Sequence, residues 1–401
     1  MNRIPRVAFF PDSYLEINGA AMTCKRLTDY AAGNEYPYLV VFAGKKTGVE
    51  TKGSVEYLSL KRTPLSFPLD EDLAYDPLFQ RHTNRVLRKL IEFKPDVIHI
   101  TGINDVSIIG SYLAWKLQLP LVGSWHTNVH EFAAQRLDKL FSFVPGNSAS
   151  KITRLAERKI LDGAVLYYKM PKVVLAPNKE LVELLGKGTG RTARLMGRGV
   201  DAEKFSPQHR TVSDSIFRLG SVGRLRAEKN VRALIDIERA LISAGMTDFE
   251  FLIVGEGSER EHLEKHMKHA RFTGFLSGEK LSEAYANMDV FLFTSETDAF
   301  GNVAQEASAS GVVPIVSDKG GPKYLVDHGE SGFVAKDIGE FISYTKELMI
   351  DRAKLIAMKE NARERALSKS WDSVFESVYE GYNEALQIAA ERKQHAAANG
   401  G

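Results

Sequence analysis

Short apolar runs alternate with longer amphipathic stretches along most of this chain, and the alternation starts afresh near its middle. Runs such as RVAFF, YLVVFA and DVIHI have the length and apolar character of buried strands, while the stretches between them have helical periodicity. Strands that alternate with helices form parallel sheets covered by helices on both faces. The restart after residue 215 therefore predicts an α/β protein with two such domains, in keeping with 401 residues.

The apolar runs divide into two sets of predicted strands. The first set comprises Arg6–Phe10, Tyr38–Ala43, Asp96–Ile100, Leu121–Ser124 and Lys172–Ala176. The second set comprises Phe217–Val222, Phe249–Val254, Phe272–Gly274, Val290–Thr294 and Val313–Ser317. Residues 70–77 are predicted to form a loop, and the Gly-, Pro- and polar-containing residues 199–215 a linker suited to a hinge. The predicted domains are 1–205 and 206–370, followed by a helix over 371–392 that packs back on the first domain and a flexible tail over 393–401.

Cysteine content and hydropathy limit the class of protein. A single cysteine, Cys24, excludes an intramolecular disulfide and a cysteine-rich zinc site. No apolar run approaches the roughly 20 residues that span a bilayer. The start, MNRIPRVAFFPD, lacks the longer apolar segment and the cleavage site of a signal peptide. We therefore expect a cytoplasmic protein.

Charge is unevenly distributed between the two halves. Residues 1–205 contain 29 Lys and Arg against 21 Asp and Glu, whereas the remainder contains 24 against 30. A basic first half favours an anionic partner, such as a phosphate-bearing ligand, an anionic lipid headgroup or nucleic acid. The alternative is that these charges lie on ordinary solvated surfaces and that their uneven sum indicates no partner.

The loops directly after strands are the most informative, because ligands of parallel α/β sheets bind beyond the carboxyl ends of the strands. Gly19 precedes a predicted helix and would let backbone N–H groups approach an anion, although any tight turn into a helix needs such a glycine. His126 follows a predicted strand. It would exchange a proton or form a hydrogen bond with a sugar hydroxyl or a phosphate. A purely structural histidine is the alternative. His99, inside DVIHI, is interpreted as an interior histidine.

The loop VGRLRAEK is rich in cations. Arg224, Arg226 and Lys229 follow the strand closely, and cations that converge at the start of a helix form a diphosphate site. A solvated basic loop is the alternative. Gly255, in the turn after FLIV, gives a weaker signal for a nucleotide ring close to the backbone.

The segment SETDAFGNVAQEASASG carries the strongest signal. Asp298 precedes a predicted helix and Glu306 lies within it, so the two carboxylates could hold two sets of sugar hydroxyls, one on a donor sugar and one on a ribose. A capped surface helix is the alternative. The helix is predicted to start near Asn302, which leaves unpaired backbone N–H groups pointing into the site. These N–H groups belong to Gly301, Asn302 and Val303.

These motifs resemble the retaining glycosyltransferases of family 4, which have the GT-B fold of two Rossmann-like domains with parallel sheets facing across a cleft. The segments SETDAFGNVAQEASASGVVPIVS and GRLRAEKNV are specific to that family, and the resemblance extends from the INGAA loop to SGFVA near residue 335. The segments TDAFGNV and GSWHTN are most similar to a branch that contains sulfolipid synthases and bacterial α-mannosyl and α-glucosyl transferases.

The resemblance implies a role for each matching residue. Arg224 and Lys229 would hold the donor diphosphate and stabilise its leaving charge, and Glu306 would bind the nucleotide ribose. Asp298 stands where the family usually has Glu and would bind hydroxyls of the donor sugar, with a changed or water-mediated contact because its side chain is shorter. His126 would meet the donor sugar near its reacting carbon. The implied donor-binding set is completed by Gly19, Gly255, Phe300, Gly301, Asn302 and Val303.

The implied reaction is transfer of a hexose from a UDP- or GDP-linked sugar to an acceptor hydroxyl, with retention of the anomeric configuration. Charge stabilisation and positioning would carry catalysis, without an essential metal and without a cofactor besides the donor substrate. The alternatives are a GT-B sugar-nucleotide epimerase, a phosphorylase and a non-catalytic sugar-nucleotide binding protein. An oxidoreductase is not favoured, because no GxGxxG motif follows a predicted strand.

The acceptor is expected to be a lipid or a small sugar, and nucleic acid is not expected. Basic and apolar residues alternate irregularly along residues 132–160. They form either a membrane-surface helix that brings a lipid acceptor or a solvated helix pair. The first interpretation predicts peripheral contact with the anionic inner face of a membrane.

Overall fold

The chain folds into two compact units, described in a computed structural model for residues 4–16, 18–70, 73–126 and 148–399. The first unit comprises the chain up to Gly197 together with the segment from Asp372 onwards, and the second runs from Arg198 to Trp371. Residues 198–205, which the sequence pattern assigned to the first domain, belong to the second unit because Val200 and Phe205 are buried in its core.

The first unit is built on an eight-stranded sheet within the described residues. In chain order its strands are β1 Val7–Phe10, β2 Tyr38–Gly44, β3 Gly48–Lys52, β4 Val55–Lys61, β7 Val97–Ile100, β8 Leu121–Ser124, β9 Val173–Ala176 and β10 Thr192–Leu195. Strands β5 Phe67–Asp70 and β6 Leu73–Tyr75 form a separate hairpin. The spatial order is β10-β9-β8-β7-β1-β2-β4-β3. All neighbours are parallel except β3 and β4. The order reverses at β1, which lies between β7 and β2.

The second unit contains a six-stranded, all-parallel sheet. Its strands are β11 Phe217–Val222, β12 Phe249–Val254, β13 Ala270–Gly274, β14 Val290–Phe293, β15 Val313–Ser317 and β16 Phe333–Ala335. Their spatial order is β13-β12-β11-β14-β15-β16. The order reverses at β11, between β12 and β14, and ligands of open α/β sheets bind beyond the carboxyl ends of the strands at such a point.

Helices cover both faces of each sheet. Those of the first unit are Gly19–Gly33, Thr83–Phe93, Asp105–Lys116, Ser148–Tyr167, Lys179–Thr189 and the long helix Trp371–Asn399, which begins at the last residue of the second unit. Those of the second unit are Ala233–Ser243, Arg260–His266, Gly278–Ala286, Asn302–Ala309, Ile338–Ile350 and Arg352–Leu367. None of the helices in the described ranges is both long and apolar enough to cross a bilayer.

Successive side chains along the central strands of the second sheet pack alternately into two hydrophobic clusters, as period-two geometry requires. Phe251 and Ile253 pack into one hydrophobic cluster, and Leu252 and Val254 pack into another. This two-sided burial is why the segment FEFLIV is apolar at every position except Glu250 and was recognisable as a central strand.

The segment 199–215 is not a free linker. Gly199 packs so closely on the backbone of Trp371 that a Cβ would lie 2.3 Å from its nitrogen. Arg210 donates hydrogen bonds to the carbonyl oxygens of Ala286 and Met288, at 3.1 and 3.2 Å. These contacts attach the segment to the second unit, while a hinge motion about 199–215 stays a prediction.

Two other predictions differ from the structure, and some strands were not predicted. Residues 70–77, predicted as a loop, contain part of the β5–β6 hairpin. Besides this hairpin, the strands missing from the prediction are β3, β4, β10 and β16. The last helix continues to residue 399 rather than ending at 392, because the sequence KQHAAAN offers good helix formers where a flexible tail was expected.

The long C-terminal helix is part of the first unit. Arg194 on β10 donates to a carboxylate oxygen of Glu384 at 3.0 Å and also pairs with Glu380. Gly381 faces β9, where a Cβ would lie 3.4 Å from a methyl group of Leu175. The helix thus covers the β9–β10 side of the first sheet.

Candidate active site

The loop after β11 carries the cations that the sequence singled out. Arg224 is half-buried, and Lys229 ends a short 3-10 turn, Ala227–Lys229. Asn230 follows in the left-handed region, with φ of 51°. The α-helix begins only at Ala233, so the prediction that Lys229 stands directly at an α-helix start is wrong. The left-handed residue interrupts the helix and turns the loop back toward β14.

Lys229 meets Asp298 across the carboxyl ends of β11 and β14. Its Nζ donates to Oδ1 of Asp298 at 2.7 Å and to Oδ2 at 2.8 Å. The two side chains are 16% and 26% exposed. The hydroxyl of Thr294 donates to the carbonyl oxygens of Lys229 and Asn230, at 3.2 and 3.0 Å, and so fixes the turn against β14. Two predicted site residues that are distant in sequence therefore form one charged, half-buried pair.

Two glycines let the loops after β11 and β12 touch backbone to backbone. Gly223 has φ of +146° and Gly255 has φ of +134°. A Cβ on Gly255 would lie 1.9 Å from the carbonyl oxygen of Gly223. Leu225 N donates to Glu256 O at 2.9 Å, which joins the loops further. Gly255 therefore supports the loop that presents Arg224 and Lys229.

The loop after β14 is held by a second close backbone approach. Gly321 N donates to Asp298 O at 2.7 Å, and a Cβ on Gly321 would lie 1.8 Å from Ala299 O. Gly301, with φ of +92°, caps the helix that begins at Asn302, so the predicted helix start is confirmed. Asn302 Oδ1 is buried and, among the described residues, has no hydrogen-bond partner.

Glu306 lies in that helix beside a buried tyrosine. Tyr285 donates its hydroxyl to Oε2 of Glu306 at 2.8 Å. Burial, followed by the neighbouring Glu306, raises the pKa of Tyr285 well above its ordinary value, so the phenol stays protonated and remains a donor. This bond orients the carboxylate, and sequence reasoning missed Tyr285 because nothing local links it to residue 306.

Phe300 and Val303 lie on either side of the helix start at Asn302. The guanidinium of Arg198 lies 5.8 Å from the ring centroid of Phe300, and Val303 packs against a buried cluster of the unit. Gln305 donates to the carbonyl oxygen of Arg198 at 3.0 Å. Arg198 was not singled out from the sequence, since it precedes the second set of strands.

The site predicted in the first unit involves Gly19 and His126. Gly19 is the exposed first residue of the helix Gly19–Gly33, whose cap, Asn18, accepts a bond from Ala21 N at 2.8 Å. His126 follows β8, and its Nε2 lies 2.7 Å from Oγ of Ser124. Within the ranges that the structure covers, no three His, Cys, Asp or Glu side chains cluster as a metal would require.

His99 on β7 is fully buried, as expected of an interior histidine. Its Nδ1 lies 2.8 Å from the hydroxyl of Tyr382, and its Nε2 lies 3.0 Å from Oγ of Ser124. Burial lowers the pKa of His99 to about 3. The ring is therefore neutral in the folded protein at ordinary pH.

His99 gives the stability of the protein a defined pH dependence. Below its ordinary pKa of about 6.5 the ring takes up a proton in the unfolded chain but not in the folded one, so acid favours unfolding. The free energy of unfolding of wild type minus that of His99→Gln is expected to fall by about 2 kcal/mol between pH 7 and pH 5. Urea unfolding followed by tryptophan fluorescence measures this difference. A difference that does not change with pH would contradict the assignment of a neutral buried ring.

Comparison with known protein families identifies both units. Residues 17–204 match the family described as Glycosyltransferase Family 4, and residues 202–365 match Glycosyl transferases group 1. The two matches meet close to the point where the chain passes from the first unit to the second.

Several curated proteins are similar to the chain over most of its length. The GDP-mannose-dependent alpha-mannosyltransferase of Mycolicibacterium smegmatis is 30% identical over 95% of this chain and 98% of its own. The protein of the same name from Corynebacterium glutamicum is 27% identical over 96% of this chain and 90% of its own. The sulfoquinovosyl transferase SQD2 of Arabidopsis thaliana is 28% identical over 80% of this chain and 62% of its own.

Solved structures share the fold at low sequence identity. Sucrose-phosphate synthase from Thermosynechococcus elongatus superposes with a TM-score of 0.68 at 18% identity, over 98% of this chain and 99% of that one. Anabaena HepE in complex with UDP and glucose gives 0.66 at 17% identity, over 94% and 98%. The predicted GT-B fold class is confirmed by the two parallel-sheet units and these neighbours. The chain belongs to glycosyltransferase family 4 and is a glycosyltransferase.

Proposed function

We propose that this glycosyltransferase moves mannose from GDP-mannose to an acceptor hydroxyl with retention of the anomeric configuration. Relatives that match at least 95% of the chain at 27–30% identity are named GDP-mannose-dependent alpha-mannosyltransferases. GDP-mannose carries an α-linked sugar, so an α-linked product corresponds to retention.

The contact between Lys229 and Asp298 is the observation that carries the proposal. It brings a cation and a carboxylate together beyond the carboxyl ends of adjacent strands, close in the chain to the start of the helix at Asn302. An ammonium group has three N–H donors, of which Asp298 accepts two. The third is suited to a phosphate oxygen of the donor, while the carboxylate is suited to sugar hydroxyls.

In the proposed reaction the bond between C1 of the sugar and the diphosphate oxygen breaks, and a bond forms from C1 to the acceptor oxygen on the same face. The acceptor proton passes to the departing phosphate. Negative charge grows on the diphosphate in the transition state, where preorganised cations are most effective. Lys229 and Arg224 supply that charge stabilisation, and Glu306, oriented by Tyr285, binds the ribose.

A donor screen tests the proposal. Purified protein is mixed separately with GDP-mannose, UDP-glucose and ADP-glucose. The increase in its melting temperature and the release of the nucleoside diphosphate are measured for each donor. We expect the largest stabilisation and turnover with GDP-mannose. Stabilisation without any turnover would indicate a non-catalytic binding protein instead.

A UDP-linked donor is the second candidate. The sequence motifs leave a UDP-linked sugar open beside a GDP-linked one, and the sulfoquinovosyl transferase SQD2, similar over 80% of the chain, is named for a sugar other than mannose. Preference for the UDP sugar in the same screen would replace the GDP-mannose proposal while leaving the diphosphate site intact.

Metal independence forms part of the proposal, because the cationic side chains stand where leaving-group charge develops. Turnover is expected to be unchanged in excess EDTA, measured as diphosphate release after the protein has been dialysed against the chelator. Complete loss of turnover that magnesium or manganese restores would show that Arg224 and Lys229 are insufficient.

We also propose that the acceptor is a lipid reached at the anionic, cytoplasmic face of a membrane. The helices Asp105–Lys116 and Ser148–Tyr167 are joined by a 2.7 Å hydrogen bond between Ser111 and Tyr167. Each carries an exposed apolar side chain close to its end, Trp115 at 70% and Leu166 at 65%. Exposed aromatic residues beside cations are typical of interfacial helices.

The basic residues of this segment are only partly described. Arg158 and Lys159 are exposed on the helix Ser148–Tyr167. The side chains of Lys151 and Arg154, and the predicted membrane segment from residue 132 to 147, lie outside the described residues.

Binding to anionic liposomes tests the membrane proposal. Each Lys or Arg near the surface contributes about 1 kcal/mol, so wild type is expected to sediment with anionic vesicles at low salt. It should be released at 1 M salt, where the Debye length is about 3 Å. Joint replacement of Lys151, Arg154, Arg158 and Lys159 by Gln should weaken sedimentation without changing donor turnover. If wild type does not bind at low salt, a soluble sugar acceptor is favoured instead.

A further inference from the structure

A continuous chain of hydrogen bonds crosses the interior of the first unit and ends at His126. It runs from the Tyr382 hydroxyl to His99 Nδ1 at 2.8 Å, from His99 Nε2 to Ser124 Oγ at 3.0 Å, and from Ser124 Oγ to His126 Nε2 at 2.7 Å. Tyr382 and His99 are fully buried, and Ser124 is 1% exposed. We propose that Tyr382, His99 and Ser124 are positioning residues that set the orientation and the tautomer of His126.

The donor and acceptor roles along this chain are linked. A neutral His99 has one N–H, and the serine hydroxyl has one hydrogen. If Tyr382 donates to Nδ1 of His99, then Nε2–H donates to Ser124, and Ser124 donates to Nε2 of His126. His126 then carries its proton on Nδ1.

The reverse direction uses the same three contacts but leaves the O–H hydrogen of the fully buried Tyr382 without an acceptor among them, which favours the first direction. Nε2–H of His126 then donates to Ser124, Ser124 donates to Nε2 of His99, and Nδ1–H of His99 donates to the oxygen of Tyr382. Either way the tautomer of His99 and that of His126 change together. The carbonyl oxygen of Ile100 lies 3.5 Å from Ser124 Oγ, so the two imidazoles are the closer partners of the hydroxyl.

Packing holds the His99 ring in this orientation. The ring of Phe9 lies 4.9 Å from that of His99, and the ring of Tyr382 lies 5.5 Å away, both measured between centroids. Ring rotation would break the hydrogen bonds of two buried nitrogens, which is costly in a low-dielectric interior. The C-terminal helix, which supplies Tyr382, thereby contributes to the geometry of a residue at the end of β8. The inference rests on the proposed function, because the resemblance to family 4 implies that His126 meets the donor sugar near its reacting carbon.

Tyr382→Phe tests the inference, with Tyr379→Phe as the matched control. Both tyrosines are buried on the same helix, but the Tyr379 hydroxyl has no hydrogen-bond partner among the described residues. We expect Tyr382→Phe to lower kcat about tenfold at unchanged KM for the donor, a smaller loss than the roughly 10²-fold that a misplacement of about 1 Å causes. Tyr379→Phe should match wild type. Equal kcat in both variants, or a change in KM alone, would overturn the inference.

Histidine-selective ¹⁵N NMR gives a readout that does not depend on activity. The signals of His126 are assigned by their loss in His126→Gln. We expect one tautomer of His126 in wild type and in Tyr379→Phe, and a changed tautomer population in Tyr382→Phe and Ser124→Ala. The same population in all four proteins would overturn the inference. If GDP-mannose is not a donor, turnover fails in wild type itself, whereas the NMR comparison still decides whether the hydrogen-bonded chain controls His126.

Discussion

Replacing Lys229 or Arg224 with alanine is expected to lower kcat by about 10²–10³-fold, the usual effect of losing one group that stabilises charge in a transition state. Lys229 is 16% exposed and bonded to both carboxylate oxygens of Asp298, so its charge is held in place before substrate arrives. Arg224 is half-buried on the same loop. Steady-state release of GDP from GDP-mannose measures the loss, and circular dichroism checks the fold.

Lys354→Ala is the matched control for this prediction. Lys354 is also half-buried and paired with a carboxylate of the second unit, Glu347 at 2.5 Å. It joins the last two helices of that unit and lies 5.2 Å from the ring of Phe333, the first residue of β16. Its loss should leave kcat unchanged. Near-normal turnover in both Lys229→Ala and Arg224→Ala would contradict the diphosphate assignment, and an equal loss in Lys354→Ala would show that the effect is one of stability.

Gly255→Ala is expected to damage both stability and turnover. The new Cβ would overlap the Gly223 carbonyl oxygen, 1.9 Å away, and neither backbone can yield easily because both belong to the ends of paired strands. Overpacking costs about 1–3 kcal/mol, and the φ of +134° adds strain of about the same size. The loop that carries Arg224 and Lys229 must shift, and a shift of about 1 Å lowers turnover about 10²-fold.

Gly245→Ala is the control that introduces backbone strain without a steric clash. Gly245 also has a positive φ, +78°, but nothing lies within 4 Å of its would-be Cβ. This substitution should cost only about 1–2 kcal/mol of strain and leave kcat unchanged. Urea unfolding and turnover are measured for both variants. Equal effects of the two substitutions would mean that contact between the loops after β11 and β12 does not support the site.

The fold was predictable from sequence where burial is complete. Strands β8, β11, β12 and β15 match their predicted bounds because mainly apolar runs mark strands that are covered on both faces. Strand β3, Gly48–Lys52, is exposed at every residue, and β10, Thr192–Leu195, is only partly covered. Such edge strands contain no apolar run, so their pairing depends on neighbours that the local sequence does not reveal.

The candidate site was predictable residue by residue but not as a set of contacts. Arg224 and Asp298 stand out because they lie in loops after predicted strands, where ligands of α/β sheets bind, and Glu306 stands out because it lies in the helix that follows Asp298. The pairing of Lys229 with Asp298 joins residues 69 positions apart, and that of His99 with Tyr382 joins residues 283 apart. Such contacts follow from strand order and helix packing, which one sequence does not specify.

Calorimetric titration with GDP and GMP in excess EDTA tests the central claim most directly, because the two ligands differ only by the β-phosphate. Hydrogen bonds to charged groups contribute about 1.5–3 kcal/mol, so wild type is expected to bind GDP at least about tenfold more tightly than GMP. The preference should shrink in Lys229→Ala and in Arg224→Ala and stay unchanged in Lys354→Ala. Equal affinity of wild type for GDP and GMP, or a preference that survives both substitutions, would contradict a diphosphate site at these residues.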